Sequence, residues 1–190
     1  SSIDTGFNKR FLAAGQKGDT AAVALLMQQM YDQMSSVGRK QCADTFNKIL
    51  NGMHNGLHMD DSTFTIRYQT YVARTVPPAT LFKNLVLSFE AANTNPLIVG
   101  VNIVAPEENE TSMRDYWMHM LMFKFCKGKY PNVKCAMHAG ELTLGLVKPE
   151  ELTWHINSAV RTAGADRIGH GVDMAYEYQC YDLLKYMAAQ

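Results

Sequence analysis

The sequence predicts an α/β fold: an incomplete (β/α)8 TIM barrel with about four central βα units visible, preceded by helices. Three observations predict it. From residue 61 onward, short strand-like and longer helical patterns alternate four times, with connections of ordinary length. No glycine-rich phosphate loop follows any of the strands, which disfavours an open dinucleotide-binding sheet. Chemistry-bearing side chains fall at the carboxyl ends of three successive strands, where parallel α/β folds place their reactive groups. The whole is read as one domain over 1–190, with 1–60 a helical lead-in and 61–190 the βα units.

Taken in order, Phe7 and Phe11 stand at helical spacing, and Lys17-Gly18-Asp19 breaks the pattern. Asp19 or Thr20 can cap the next helix, Ala21 to Met34, whose Val23, Leu26, Met27, Met30 and Met34 share one face. Ser35 to Lys40 reads as a break and Cys42 to Met53 as a helix with Phe46, Ile49, Leu50 and Met53 inward. Asn55-Gly56 and Asp60-Asp61 punctuate a loop. Phe64 to Val72 alternates with period two and predicts a strand. Val76-Pro77-Pro78 turns the chain into a helix over Leu81 to Ala92. Ile98 to Val104 is a continuous apolar strand, as expected when both faces are covered. Ser112 to Cys126 is a helix whose Met113, Met118, Met120 and Met122 predict buried packing against a sheet.

The stretch from Lys134 to Asp173 concentrates the chemistry. A short strand, Val133 to Met137, ends in His138-Ala139-Gly140-Glu141. Lys148-Pro149-Glu150-Glu151 opens a helix: proline suits its first turn and the carboxylates its positive end. Leu152, Ile156, Ala159 and Val160 continue it, and Gly164 ends it. A second short strand, Arg167 to Gly169, ends in His170-Gly171. Tyr178 to Ala188 starts a last helix.

Composition excludes several function classes. The 190 residues are 47% hydrophobic, enough for a sizeable core. Lys and Arg number 18 against 18 Asp and Glu, with no basic run, which argues against nucleic acid or a membrane surface as partner. No apolar stretch approaches the roughly 20 residues of a spanning helix. Cys42, Cys126, Cys135 and Cys180 form no CxxC pair and fit a reducing compartment, or buried thiols, better than a disulfide framework, so a cytoplasmic protein is expected; because the sequence begins at Ser1, a secreted or periplasmic parent stays open.

HAGE at 138–141 followed by RIGHG at 167–171 resembles the adenosine deaminase family of zinc hydrolases. The flanks, LGLVKPEEL and HINSAV, look most like its growth-factor-related branch and bacterial relatives. A lone strand-tip histidine is more often a hydrogen-bonded packing residue than a ligand; two ordered motifs change that weighting. The resemblance implies Zn2+ as cofactor, one per complete site, with His138 among its ligands. It implies Glu141 as the carboxylic acid that protonates the purine N1, shielded beside an apolar base pocket. His170 is implied as the residue that orients the attacking water and helps to deprotonate it. Gly140 would let backbone and substrate approach closely. Ala105 stands where the family carries a glycine whose backbone meets the purine, and Asn102 replaces a common Asp.

The implied reaction is hydrolysis of adenosine or 2′-deoxyadenosine to the inosine product and ammonia, with a small purine nucleoside as partner. The family's His-x-His on the first strand and late Asp pair are missing from these residues. A barrel takes about 250 residues. The resemblance therefore implies an incomplete stretch of a longer chain: either a true middle fragment, which would be inactive by itself, or a chain whose remaining segments supply the missing ligands. Two other readings stay open: a non-catalytic binding or signalling protein on the same scaffold, and a deaminase of adenine or another aminopurine. Arg167 is expected to form an ion pair, Asp173 to cap a turn, and His119 and His155 to be surface or packing residues. Glu107 and Glu108 could be solvated or pair with Arg74.

Overall fold

A computed structural model describes residues 2–189. Three helices lead: α1 (Ser2–Gln16), α2 (Thr20–Gln33) and α3 (Ser36–Gly56). Asp19 caps α2, its Oδ1 accepting from Ala22 N at 2.9 Å. Ser35 caps α3 through Gly38 N, so the break expected over residues 35–40 shrinks to a single cap. Strands and helices then alternate: β1 (Tyr68–Ala73), α4 (Pro78–Thr94), β2 (Ile98–Val104), α5 (Glu110–Lys129), β3 (Ala136–Ala139), α6 (His155–Arg161), β4 (Arg167–His170) and α7 (Cys180–Ala188).

Two local departures from the sequence reading have visible causes. Residues 64–67 do not join β1, because Asp60 and Asp61 fold them into a loop. Asp61 Oδ1 accepts from Thr63 N and Phe64 N, and Asp60 accepts from Ile66 N and Arg67. The helix expected from Pro149 divides into a 3-10 turn, Pro149–Thr153, and α6. The Glu177 carboxylate accepts from Ile156 N and Asn157 N, so it caps α6 from twenty residues away and fixes the start at His155.

The core lies between α1, α2, α4 and α5 and one side of the strands. Phe11, Phe82, Leu85, Phe89, Met118, Met120 and Phe123 are almost fully buried, and each such side chain contributes about 1.5–3 kcal/mol. Phe11 meets Phe82 at 6.2 Å, and Phe82 meets Phe125 edge-on at 5.4 Å. The methionine-rich α5 is packed as expected. On α3 the expectation was partly wrong. Leu50 is buried with Ala43, Asn47 and His54, while Phe46, Ile49 and Met53 are exposed. Asn47 turns that face inward by bonding the Ala91 carbonyl and Thr94 of α4.

The expected incomplete (β/α)8 barrel is not what forms. The fold is mixed α/β and mainly helical, with four short strands in two parallel pairs, β1–β2 and β3–β4. A single parallel bridge, Val101 to Cys135, links the pairs. The division follows from side chains that intercept the backbone of β3. His138 N donates to Asn102 Oδ1 (3.2 Å), and His138 O accepts from Arg74 Nη2 (2.7 Å). With both groups occupied, β2 and β3 do not continue as a ladder. The polar tips after residues 139 and 170 end β3 and β4 at four residues each. Among the described residues no helix is long and apolar enough to cross a membrane.

Candidate active site at the strand tips

His138 is the third residue of β3, Glu141 follows that strand, His170 ends β4, and Ala105 follows β2. Parallel pairing puts His138 opposite Gly169 and Ala139 opposite His170, which brings the two histidines side by side. Their ring centroids are 5.0 Å apart. A Cβ at position 169 would lie 2.7 Å from His138 Cδ2, so Gly169 is what leaves room for the ring. The His138 ring packs with Nδ1 3.2 Å from the Ile103 carbonyl oxygen. Donation there fixes the tautomer and leaves Nε2 with its lone pair. His170 Nε2 is 3.5 Å from Glu141 Oε2.

Ala105, His138, Glu141 and His170 line one cavity of about 350 Å3, with Val104, Pro106 and Glu108. Its size suits a small molecule. It is open: the side chains of His170 and Glu141 are 37% and 45% exposed, so the shielding expected around Glu141 is not present here. A larger cleft of about 460 Å3 between α3, β1 and α4 is lined by Ala43, Phe46, Thr70 and Leu87 among others, and carries no acid–base pair. Chemistry, rather than volume, selects the strand-tip cavity.

The backbone at these tips is unusual. Ala105 has φ +84°, His170 φ +69°, Gly140 φ +72° and Gly171 φ +62°. Left-handed non-glycine residues concentrate at functional sites, where surrounding structure holds the strain. Ala105 thus adopts a conformation glycine tolerates best. Ala105→Gly is expected to raise stability by about 1 kcal/mol, since relief of the left-handed strain exceeds the added chain entropy. A higher melting temperature in a circular-dichroism melt checks this; a lower one would mean that the Ala105 methyl packs usefully. Gly140 is placed differently from the expectation of substrate approach: its missing Cβ would collide with Asp173 and Ile156 behind the cavity.

Behind the site lies a buried polar layer that sequence reasoning largely missed. Arg74, Glu107, His119, His155 and Asp173 are all at zero exposure. Glu107 is the member of the Glu107-Glu108 pair that faces Arg74 (3.7 Å), and Glu108 is exposed and lines the cavity. The available signal was positional: Arg74 and Glu107 follow β1 and β2, two neighbouring parallel strands, at the same end of the fold. Burial pushes the Glu107 carboxyl up, but the His155 hydrogen bond and the Arg74 charge hold it below the usual carboxylate range. Burial lowers His119 to about 4. Asp173 does not cap the following turn as expected; neither oxygen has a hydrogen-bond partner. Arg167 is exposed, and none of the ion pairs among the described residues includes it.

Asp173 makes stability depend on pH. Burial first, then the charges of Glu107 and Glu177, raise its pKa from 3.8 to about 7, and burial also raises that of Glu177. An acid with a raised folded pKa binds more protons folded than unfolded. Its contribution is therefore complete below about pH 4 and is lost as pH rises through about 7. Asp173→Asn is expected to raise the melting temperature at pH 8 and to change it little at pH 4. Equal shifts at both values would show that Asp173 carries no buried charge at pH 8.

Compared with protein-family models, curated proteins and solved structures, the chain matches none of them. Among the described residues no group of three or more His, Cys, Asp and Glu is placed to hold a metal. A catalytic zinc takes three protein ligands and an open position. His138 fits one ligand position, because its Nδ1 faces a backbone carbonyl, the arrangement common for metal-bound histidine.

Proposed function

We propose that the strand-tip cavity belongs to a zinc-dependent hydrolytic deaminase acting on adenosine or 2′-deoxyadenosine. The observation that carries this reading is the convergence of His138, Glu141 and His170, from two separate motifs, on one cavity with Ala105. The resemblance of HAGE and RIGHG to the adenosine deaminase family supplies the roles. His138 would hold the zinc, and its other ligands would come from polypeptide beyond these residues. Bound zinc makes hydroxide available at neutral pH.

The residues of this chain then handle the protons. In the reaction, water oxygen bonds to purine C6 and the C6–N bond breaks. One water proton reaches N1 and the other leaves with the amine as ammonia. Glu141 would deliver a proton to N1. His170, 3.5 Å from Glu141, orients the water and accepts its proton. Their proximity provides a route for returning the proton between them. Gly171 N donates to the Ala139 carbonyl (3.0 Å) and Val172 N to the Gly140 carbonyl (2.8 Å), so the two tips are held in register independently of substrate.

The test is ammonia release, with loss of absorbance at the adenosine maximum, by the natural full-length polypeptide loaded with Zn2+. Turnover of adenosine or 2′-deoxyadenosine supports the reading. Turnover of adenine alone would move it to an aminopurine base deaminase. Tight nucleoside binding without turnover would replace it with a binding protein.

A further inference from the structure

We infer that Glu107, with Arg74, is a positioning residue: a buried carboxylate that aims Glu141 by holding the peptide units which carry it. Glu107 Oε1 accepts from Gly140 N (3.2 Å) and from His155 Nδ1 (2.7 Å), and Oε2 accepts from Glu141 N (2.8 Å). Two successive amides of the HAGE turn therefore converge on one carboxylate. The left-handed Gly140 makes that convergence possible, as in an anion-binding nest. Arg74 closes the arrangement from the other side, donating to the His138 carbonyl at 2.7 Å. His155 is locked in turn: its ring stacks on Tyr116 at 3.8 Å, and the Tyr116 hydroxyl donates to the His155 carbonyl at 2.9 Å.

The energetic setting argues for a specific role. Arg74 and Glu107 both stand at zero exposure. A buried ion pair is no more stabilising than well-packed apolar residues, so its use here is better explained by the geometry it imposes. Among the described residues, every hydrogen bond that Glu107 accepts comes from the HAGE turn or from His155 at the start of α6. Glutamine cannot replace it, because its single oxygen can serve the Glu141 amide or the Gly140–His155 side, and its NH2 then faces a donor on the other.

The kinetic consequence rests on the deaminase reading; the clamp itself does not. Amide hydrogen exchange tests the clamp in the full-length protein. The Gly140 and Glu141 amides should exchange slowly in the unmutated protein although they lie outside a strand, and at least about tenfold faster in Glu107→Gln. Amides of α4 should be unchanged. Glu107→Asp, which keeps the carboxylate, should restore part of the protection and serves if the Gln variant does not fold. In turnover of adenosine, Glu107→Gln should lower kcat about 10- to 100-fold and leave KM within about twofold, since a misaimed acid affects the transition state more than binding. Fast exchange at 140–141 in the unmutated protein, or exchange unaltered in Glu107→Gln, overturns the inference. A uniform rise in exchange across α4 and the turn also overturns it, by reducing Glu107 to a general stabiliser. Turnover absent from the unmutated protein overturns the deaminase reading and the kinetic role together, and the exchange contrast still decides the clamp.

Discussion

Glu141→Gln is expected to lower kcat for adenosine about 10²- to 10⁴-fold in the zinc-loaded, full-length protein, the span associated with loss of a positioned general acid. The substitution keeps size and shape but removes the transferable proton. Zinc content should not change, because Glu141 lies three residues after His138 and its side chain is turned to His170, 3.5 Å away. Stability should change little, since the side chain is 45% exposed and the Glu141 residue is held by its backbone N–H rather than by its carboxylate. The informative comparison is therefore kcat against metal content and melting temperature in one preparation. A selective loss of kcat assigns proton transfer to Glu141. Retained turnover removes Glu141 from the reaction and leaves His170 and Glu108 as the acid–base candidates at the cavity.

Most of the element order could be read from the chain, because it is written in local signals. The Ile98–Val104 strand matches in both bounds, and the Asp19 cap and the Gly164 stop act as their residue types suggest. The candidate site was legible for the same reason: His138, Glu141 and His170 sit at strand ends, and parallel pairing alone brings such ends together. What failed depends on long-range side-chain contacts. The barrel expectation assumed that successive strands pair along their lengths. Asn102 and Arg74 instead capture the backbone of His138, and no period or propensity announces that. The inward face of α3 was misassigned because Asn47 and His54, polar by type, are buried through hydrogen bonds to Ala91, Thr94 and Tyr68. Pairing with Arg74 was one of two alternatives open for Glu107 and Glu108; which carboxylate pairs, and that it does so at zero exposure, was not legible, since charged residues are rarely fully buried.

Gly140→Ala is expected to destabilise the fold by about 2–4 kcal/mol, combining left-handed strain with overpacking and allowing for the stiffer unfolded chain. At φ +72° an added Cβ would meet Ile156 Cδ1 at 2.6 Å and Cγ1 at 2.7 Å, as well as the Asp173 carboxylate. Both neighbours are enclosed, so the added methyl has to displace packed atoms. Ile156 is fully buried at the start of α6, where Glu177 caps its N–H, and Asp173 is fully buried beneath the β4 tip. Gly145 is the control: it too has positive φ, +87°, but nothing lies within 4 Å of its Cβ position. Gly145→Ala should therefore show conformational strain alone, about 1 kcal/mol. For a domain of this size the Gly140 variant should melt about 5–15 °C lower. Because Gly140 carries one of the two amides that meet Glu107, the same variant should also displace Glu141 and depress turnover beyond what the unfolded fraction explains. Equal melting temperatures for the two alanine variants would mean that the turn relaxes freely around position 140. A rigid, glycine-dependent HAGE turn could then no longer account for how the acid is held.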